Sequence, residues 1–251
     1  MGLWTMTYFY AIIPFFLVFF ILAVLWWHFS KKVGDRAKRL PLQIIASLII
    51  VLEIIKQVTS IIKGYDLYHL PFHYCSLFLY LLPLHAFAPA KIKKFVDAVT
   101  YACCASLLLF FLIMPSVIYP EEHIIGWLDN YFNFHTLVFH HLVVLYFFLA
   151  LSTRSFKLSP KHDLGFVAIF LSSYVVVGTV LSYALKVNFH NLRTCNLGAC
   201  EEIRVMLNEA MGWFGQAVYV FALFILTTLF AYLAYFLVYL VYRLITKEKA
   251  S

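Results

Sequence analysis

Long apolar runs separated by short polar loops are the dominant pattern along the chain. Seven runs, at about residues 7–28, 41–62, 70–89, 95–114, 134–152, 164–186 and 213–243, reach the roughly 20 residues that a helix needs to cross a hydrocarbon core. Transmembrane β-strands would show segments of ~10 residues with strict alternation, and no such pattern is present. The first run has no basic residue ahead of it (MGLWTMTYFY), which favours a membrane span over a cleaved signal peptide. The expectation is an all-α, polytopic bundle of seven transmembrane helices forming one membrane domain over residues 1–251.

Basic residues then orient the bundle. Lys31, Lys32, Arg36, Lys38 and Arg39 fill the first loop, and Lys91, Lys93 and Lys94 the third. Arg154, Lys157 and Lys161 lie in the fifth, and Arg243, Lys247 and Lys249 in the tail. The alternate loops hold only Lys63, Arg193 and Arg204, beside acidic residues such as Glu121, Glu122, Glu201 and Glu202. Cytoplasmic loops retain Lys and Arg, so the N-terminus is expected outside and the C-terminus in the cytoplasm. This makes the chain a multi-pass integral protein, with the cell (plasma) membrane as the expected location.

Composition agrees with burial in lipid. Of 251 residues, 64% are hydrophobic and 12% charged, about half the charged share of a soluble domain. The net charge of +7 is accounted for by the loop asymmetry, so nucleic acid is not an expected partner. Membrane lipids serve as both solvent and substrate in this reading, and the oligomeric state is left open.

Polar residues inside spans are costly and mark sites by default. On the second span Glu53, Lys56, Gln57 and Ser60 share one helical face through spacings of three and four. The third opens with HLPFHYCSLF, which contains His73, Cys75 and Ser76. The fifth starts FHTLVFHHLVVLY, with His135 at its mouth and His140 and His141 deeper, and VNFHNL, with Asn188 and Asn191, follows the sixth. All four groups fall in the outer half, whereas the cytoplasmic half offers only Asp97 and Asp163 near helix starts. On a regular helix His73 and Cys75 point nearly opposite ways, so a cysteine nucleophile would need His140 or His141 as base. His69 and His73 have the spacing of a helical metal pair, but no carboxylate completes a set; neither a metal nor a cofactor is expected. Cys195 and Cys200 have the placement for a disulfide in an oxidising space.

The motifs EIIK, LPFHYCSL, FHHLVVLY and VNFHNL, in this order and on these helices, resemble the seven-helix YwaF-like membrane proteins of bacteria and their animal relatives, the transmembrane protein 164 group. The resemblance implies an acyltransferase that moves fatty acyl chains between phospholipids, with a cysteine next to the third-helix histidine as nucleophile. Its Pro-Cys-His pattern reads Pro71-Phe72-His73 here, so Phe72 occupies the cysteine position. His73, His141, Glu53, Asn188 and Asn191 match, and Cys75 or Ser76, one turn deeper, would be a displaced nucleophile. The resulting expectation is acyl transfer at the outer leaflet by His73, Cys75, His141, His140 and Glu53. Lys56, Gln57, Ser76, His135, Asn188 and Asn191 would bind substrate. A transporter or receptor using the Glu53/Lys56/histidine cluster is the alternative.

Overall fold

The computed structural model describes residues 4–118, 120–153, 158–195 and 198–246. These form helices α1 (Met6–Ser30), α2 (Asp35–Ile62), α3 (Leu77–Phe87), α4 (Ala90–Ile113), α5 (Glu121–Ile125), α6 (Tyr131–Ser152), α7 (Pro160–Ala184), α8 (Gly198–Met211) and α9 (Trp213–Thr246). No strand is present among the described residues. Six helices (α1, α2, α4, α6, α7 and α9) are long and apolar enough to cross a membrane.

The centre of the bundle is α4. Its run of small residues includes Ala98, Ala102, Cys103, Ala105 and Ser106, all essentially without exposure. Small side chains let backbones approach closely where lipid supplies no hydrophobic drive, and α3, α6, α7 and α9 all pack on this helix. By contrast, α1 presents Phe15, Leu17, Phe20 and Ile21 outward, as suits a helix bathed in hydrocarbon.

The third predicted span is corrected. Only Leu77–Phe87 is α-helical, preceded by 3-10 turns at Leu67–His69 and Tyr74–Ser76. Pro71 explains the late start, because the residue before a proline is pushed out of the helical region. Leu70 accordingly sits at ψ 137°, and His73 is also extended, at ψ 157°. The opposite-pointing phase expected for His73 and Cys75 therefore does not apply, because no regular helix joins them. Two elements were not foreseen. One is the short α5; the other is α8, an amphipathic helix that buries no residue and folds back on α9. Gly212, at φ 58°, ends α8, and its N–H donates to the Asn208 carbonyl. At Gly215 an added Cβ would lie 2.1 Å from the Leu207 carbonyl oxygen.

The expected emptiness of the cytoplasmic half is also corrected. His85 on α3 places Nε2 3.2 Å from Asp97 Oδ1 on α4 and Nδ1 2.6 Å from the Tyr146 hydroxyl on α6. Lys93 pairs with the other Asp97 oxygen. Near the start of α7, Asp163 accepts from the Tyr235 hydroxyl and the Ser159 N–H. The first group ties α3, α4 and α6 together and the second ties α7 to α9.

Ala102→Leu is expected to destabilise by about 1–3 kcal/mol through overpacking, whereas Leu48→Ala on the exposed face of α2 stays within about 0.5 kcal/mol. Unfolding temperature in detergent measures both. Gly215→Ala forces α8 off α9, which is read as faster proteolysis of the 198–211 segment.

Candidate functional site

Glu53 is buried on α2 and surrounded by donors. Lys56 Nζ lies 3.0 Å from its Oε1, Gln57 Nε2 2.6 Å from the same oxygen, and His135 Nε2 of α6 3.1 Å from Oε2. A carboxylate taken out of water needs this much compensation. Glu53 thus joins three of the residues expected to bind substrate, Lys56, Gln57 and His135, into one network. Gln57 does a second job by donating to the His69 carbonyl, while its Oε1 accepts from Tyr65. Ser60 Oγ lies 2.7 Å from His69 Nδ1, and the His69 ring stacks on Phe132. The polar face of α2 is therefore what secures the unwound 64–76 segment, whose backbone groups α-helix formation leaves unsatisfied.

A second cluster forms where that segment meets the 185–195 loop. His73 Nε2 lies 3.0 Å from the Tyr68 carbonyl oxygen. A carbonyl only accepts, so Nε2 carries the proton and Nδ1 the lone pair. The Tyr174 hydroxyl donates to the Phe72 carbonyl, and Tyr74 pairs with Ser106 on α4. Facing them is His190, with its ring stacked on Tyr74 at 5.1 Å and beside Tyr174 at 5.7 Å. The intervening Phe189 packs edge-on to both Phe72 and His73. The backbone of His190 is left-handed, at φ 48° and ψ 36°, and Lys186 and Asn191 share that region. Such strain in non-glycine residues gathers at functional sites. His190 Nε2 is sealed from solvent and has no hydrogen-bond partner among the described residues.

Sequence reasoning set His190 among the outer polar residues but gave it no role, because a histidine in a connecting loop has no periodicity to mark it. The usable signal was its place inside VNFHNL, between Asn188 and Asn191. Those two asparagines shape the loop. Asn188 Oδ1 accepts from the N–H groups of Arg193 and Thr194, and its Nδ2 donates to the Thr194 carbonyl. The Asn191 carbonyl accepts from Tyr219 on α9.

The expected dyad between Cys75 and a histidine of the fifth span, α6, is not formed. No hydrogen bond joins Cys75 to a histidine among the described residues, and the thiol is free. His141 turns to α1, with Nδ1 on the Leu137 carbonyl, Nε2 on the Ala11 carbonyl, and Phe15, Phe16 and Phe19 around its ring. With carbonyl oxygens at both nitrogens, it presents no lone pair to a thiol. His140 donates from Nδ1 to the Thr136 carbonyl and packs against Phe111 and Phe139. Ser76 occupies the N-cap of α3 without making a side-chain cap. Cys195 and Cys200 are free thiols as well.

A cleft of about 1050 Å³ opens between α7 and α9 beside this cluster. Val175, Val180, Val220, Phe221 and Phe224 make its walls, while Arg204, Asn208 and Gln216 stand at the α8 end. Gln216 Nε2 donates to the Leu192 carbonyl, so the cleft and the His190 loop share a wall. Arg204 forks onto Glu201 and also reaches Gln216.

The model of the TMEM164 family matches residues 3–237, nearly the whole chain. The chain belongs to the TMEM164 family. With its six long apolar helices, this TMEM164-family protein is an integral, multi-pass membrane protein. No curated protein and no solved structure matches it.

Two outcomes follow from the geometry. Glu53→Ala leaves Lys56 without its counter-ion and is expected to cost about 3–5 kcal/mol, seen as a lowered unfolding temperature. Burial pushes His190 down to about 4, with neighbouring His73 the second cause. Unfolded histidine titrates near ~6.5, so between these values the folded form binds fewer protons. The stability contributed by neutral His190 is complete above ~6.5 and is lost as pH falls towards about 4. Acidification from about 7 to about 5 should lower the unfolding temperature, and His190→Asn, which tolerates the left-handed backbone, should flatten that dependence.

Proposed function

We propose that this chain is a lipid acyltransferase whose base is a histidine and whose acceptor is the substrate's own hydroxyl. The observation that carries the reading is the unmatched Nε2 of His190, in a loop that also packs on His73 and that shares Gln216 with an apolar cleft between two long helices. His73 offers a lone pair on Nδ1, because its Nε2–H donates to the Tyr68 carbonyl. A nitrogen with a free lone pair is the atom that a general base needs.

In the proposed step the acceptor hydroxyl gives its proton to His73 Nδ1 while its oxygen bonds to the ester carbonyl carbon of a phospholipid. The ester C–O bond then breaks, and the leaving lysolipid oxygen recovers the proton from the imidazolium. His190 Nε2, which lacks a protein partner, takes a hydrogen bond from substrate. Cys75 is left out because no base is placed on it and Phe72 holds the position that matches the family's cysteine. Asn188 is left out of any oxyanion role because its carboxamide is engaged within the loop. The acyl chain lies in the α7–α9 cleft, whose apolar walls fit a hydrocarbon.

The same proposal sets the membrane arrangement. The unwound 64–76 segment and α3 together make a seventh crossing. Non-helical backbone is tolerated there because α2 side chains satisfy it. The basic loops put the N-terminus outside and the C-terminus in the cytoplasm of the plasma membrane, and the His73–His190 cluster near the outer leaflet.

Lipid profiling of cells expressing each variant tests the reading. His73→Ala and His190→Ala should each lower the acyl-transfer product by about 10²–10⁴-fold, and Cys75→Ala should leave it within about two-fold of the parent. Loss on Cys75→Ala would restore the thioester route. Unchanged lipids in every variant and in the deletion would remove acyl transfer altogether. A reporter fused after the C-terminus should be active only in the cytoplasm.

A further inference from the structure

A second cleft, of about 810 Å³, lies at the opposite end of the bundle from the His73–His190 cluster. The end of α1, Pro41 near the start of α2, and α6 enclose it. Its floor is hydrocarbon, with Leu22 and Leu25 from α1 and Leu145 and Leu149 from α6. Its mouth is cationic, with Lys31 and Lys32, and His28 stands beside them. No carboxylate lines it among the described residues. The one acidic residue of the adjoining turn, Asp35, is held by Lys38 at 2.8 Å. Neither Lys31 nor Lys32 forms an ion pair among the described residues. The indole of Trp26 forms part of the wall, and its Nε1–H has no acceptor among the described residues.

The site is therefore one-sided in its chemistry. It supplies two ammonium groups and an indole N–H around an apolar slot, with nothing of its own to accept from them. The complement is a molecule that is anionic at one end and a hydrocarbon chain at the other. Two charges converging at a groove between membrane-spanning helices bind such headgroups more tightly than scattered surface lysines do. Lysine stems also lie comfortably along apolar walls while their ammonium groups stay at the interface.

We propose that this cleft binds one anionic phospholipid, with its phosphate at Lys31 and Lys32, an ester oxygen at Trp26 Nε1, and one acyl chain along Leu22, Leu25, Leu145 and Leu149. The lipid wedges between α1 and α2 over α6 and holds the two helices apart at that end. Nothing in this depends on acyl transfer at the other end; it requires only that the chain sits in a bilayer.

The test uses the purified full chain, exchanged into detergent with phosphatidylglycerol or phosphatidylcholine. Native mass spectrometry counts retained lipid, and the unfolding temperature follows occupancy. The expected result is one phosphatidylglycerol retained per chain, with a higher unfolding temperature than in phosphatidylcholine. Lys31→Ala/Lys32→Ala should weaken retention about 30-fold. Trp26→Phe, which keeps the ring and loses the N–H, should weaken it about five-fold. Lys91→Ala/Lys161→Ala removes the same charge from two other basic loops and should leave retention unchanged. Equal losses in that control would mean diffuse attraction and overturn the site. So would equal retention of phosphatidylcholine, or displacement of the lipid by soluble glycerol phosphate, which would mark an anion site that does not read the chain.

Discussion

A carboxylate buried in an apolar bundle cannot stand alone, and much of one end of this protein follows from how Glu53 is satisfied. Its three donors come from one turn of its own helix and from α6, so the ion-pair network fixes the rotation of α2 against α6. With that rotation set, Gln57 and Ser60 face the chain that follows α2 instead of lipid. They meet the backbone and ring of His69, and the segment can remain unwound without orphaned polar groups. Because it is unwound, His73 sits on an extended backbone that turns its ring towards the 185–195 loop. The candidate site is in this sense a consequence of where one acid is buried.

The long helices were legible because hydropathy over some 20 residues is a strong signal and lipid punishes any other structure. The third span was not, for a reason visible at Pro71. Hydropathy scores the 70–89 stretch as uniformly apolar, yet the proline and the extended residues around it defer the helix to Leu77, and no window average registers that. The cluster around His85 was missed because His85 and Asp97 are 12 residues apart across a helical corner, and only the packing of α3 on α4 and α6 brings them to Tyr146. His140 and His141 failed in the opposite way. Their sequence neighbourhood suggested a shared site with the third span, yet one imidazole is turned back onto its own helix and the other faces α1. A helix gives each side chain a direction as well as a depth, and the expected site used depth alone.

Polar chemistry thus occupies both ends of the bundle but takes different forms. His85, Asp97, Lys93 and Tyr146 gather in a largely buried cluster in which each faces another across helices, which describes a fastening between them. His73 and His190 are less complete. One keeps a lone pair, and the other holds a strained backbone with an unmatched nitrogen, next to a cleft large enough for a lipid chain. Self-sufficient polar groups hold a fold together, and groups left wanting a partner beside a cavity are the ones available for a ligand.

Phe72 shows why the departure from the family's cysteine pattern reaches beyond one side chain. Its ring packs edge-on against Phe189, and its carbonyl takes the Tyr174 hydroxyl. The ring contact braces the loop that carries His190, and the carbonyl contact ties the segment to α7. A cysteine at this position would keep the carbonyl contact to α7 and lose the aromatic one to Phe189, so the loop would lose that brace. A phenylalanine here therefore replaces a reactive group with a packing group that steadies the neighbouring imidazoles. In the proposed reading the chemistry runs through His73 and His190, because a nucleophile at position 72 and the ring that braces their loop would occupy the same space.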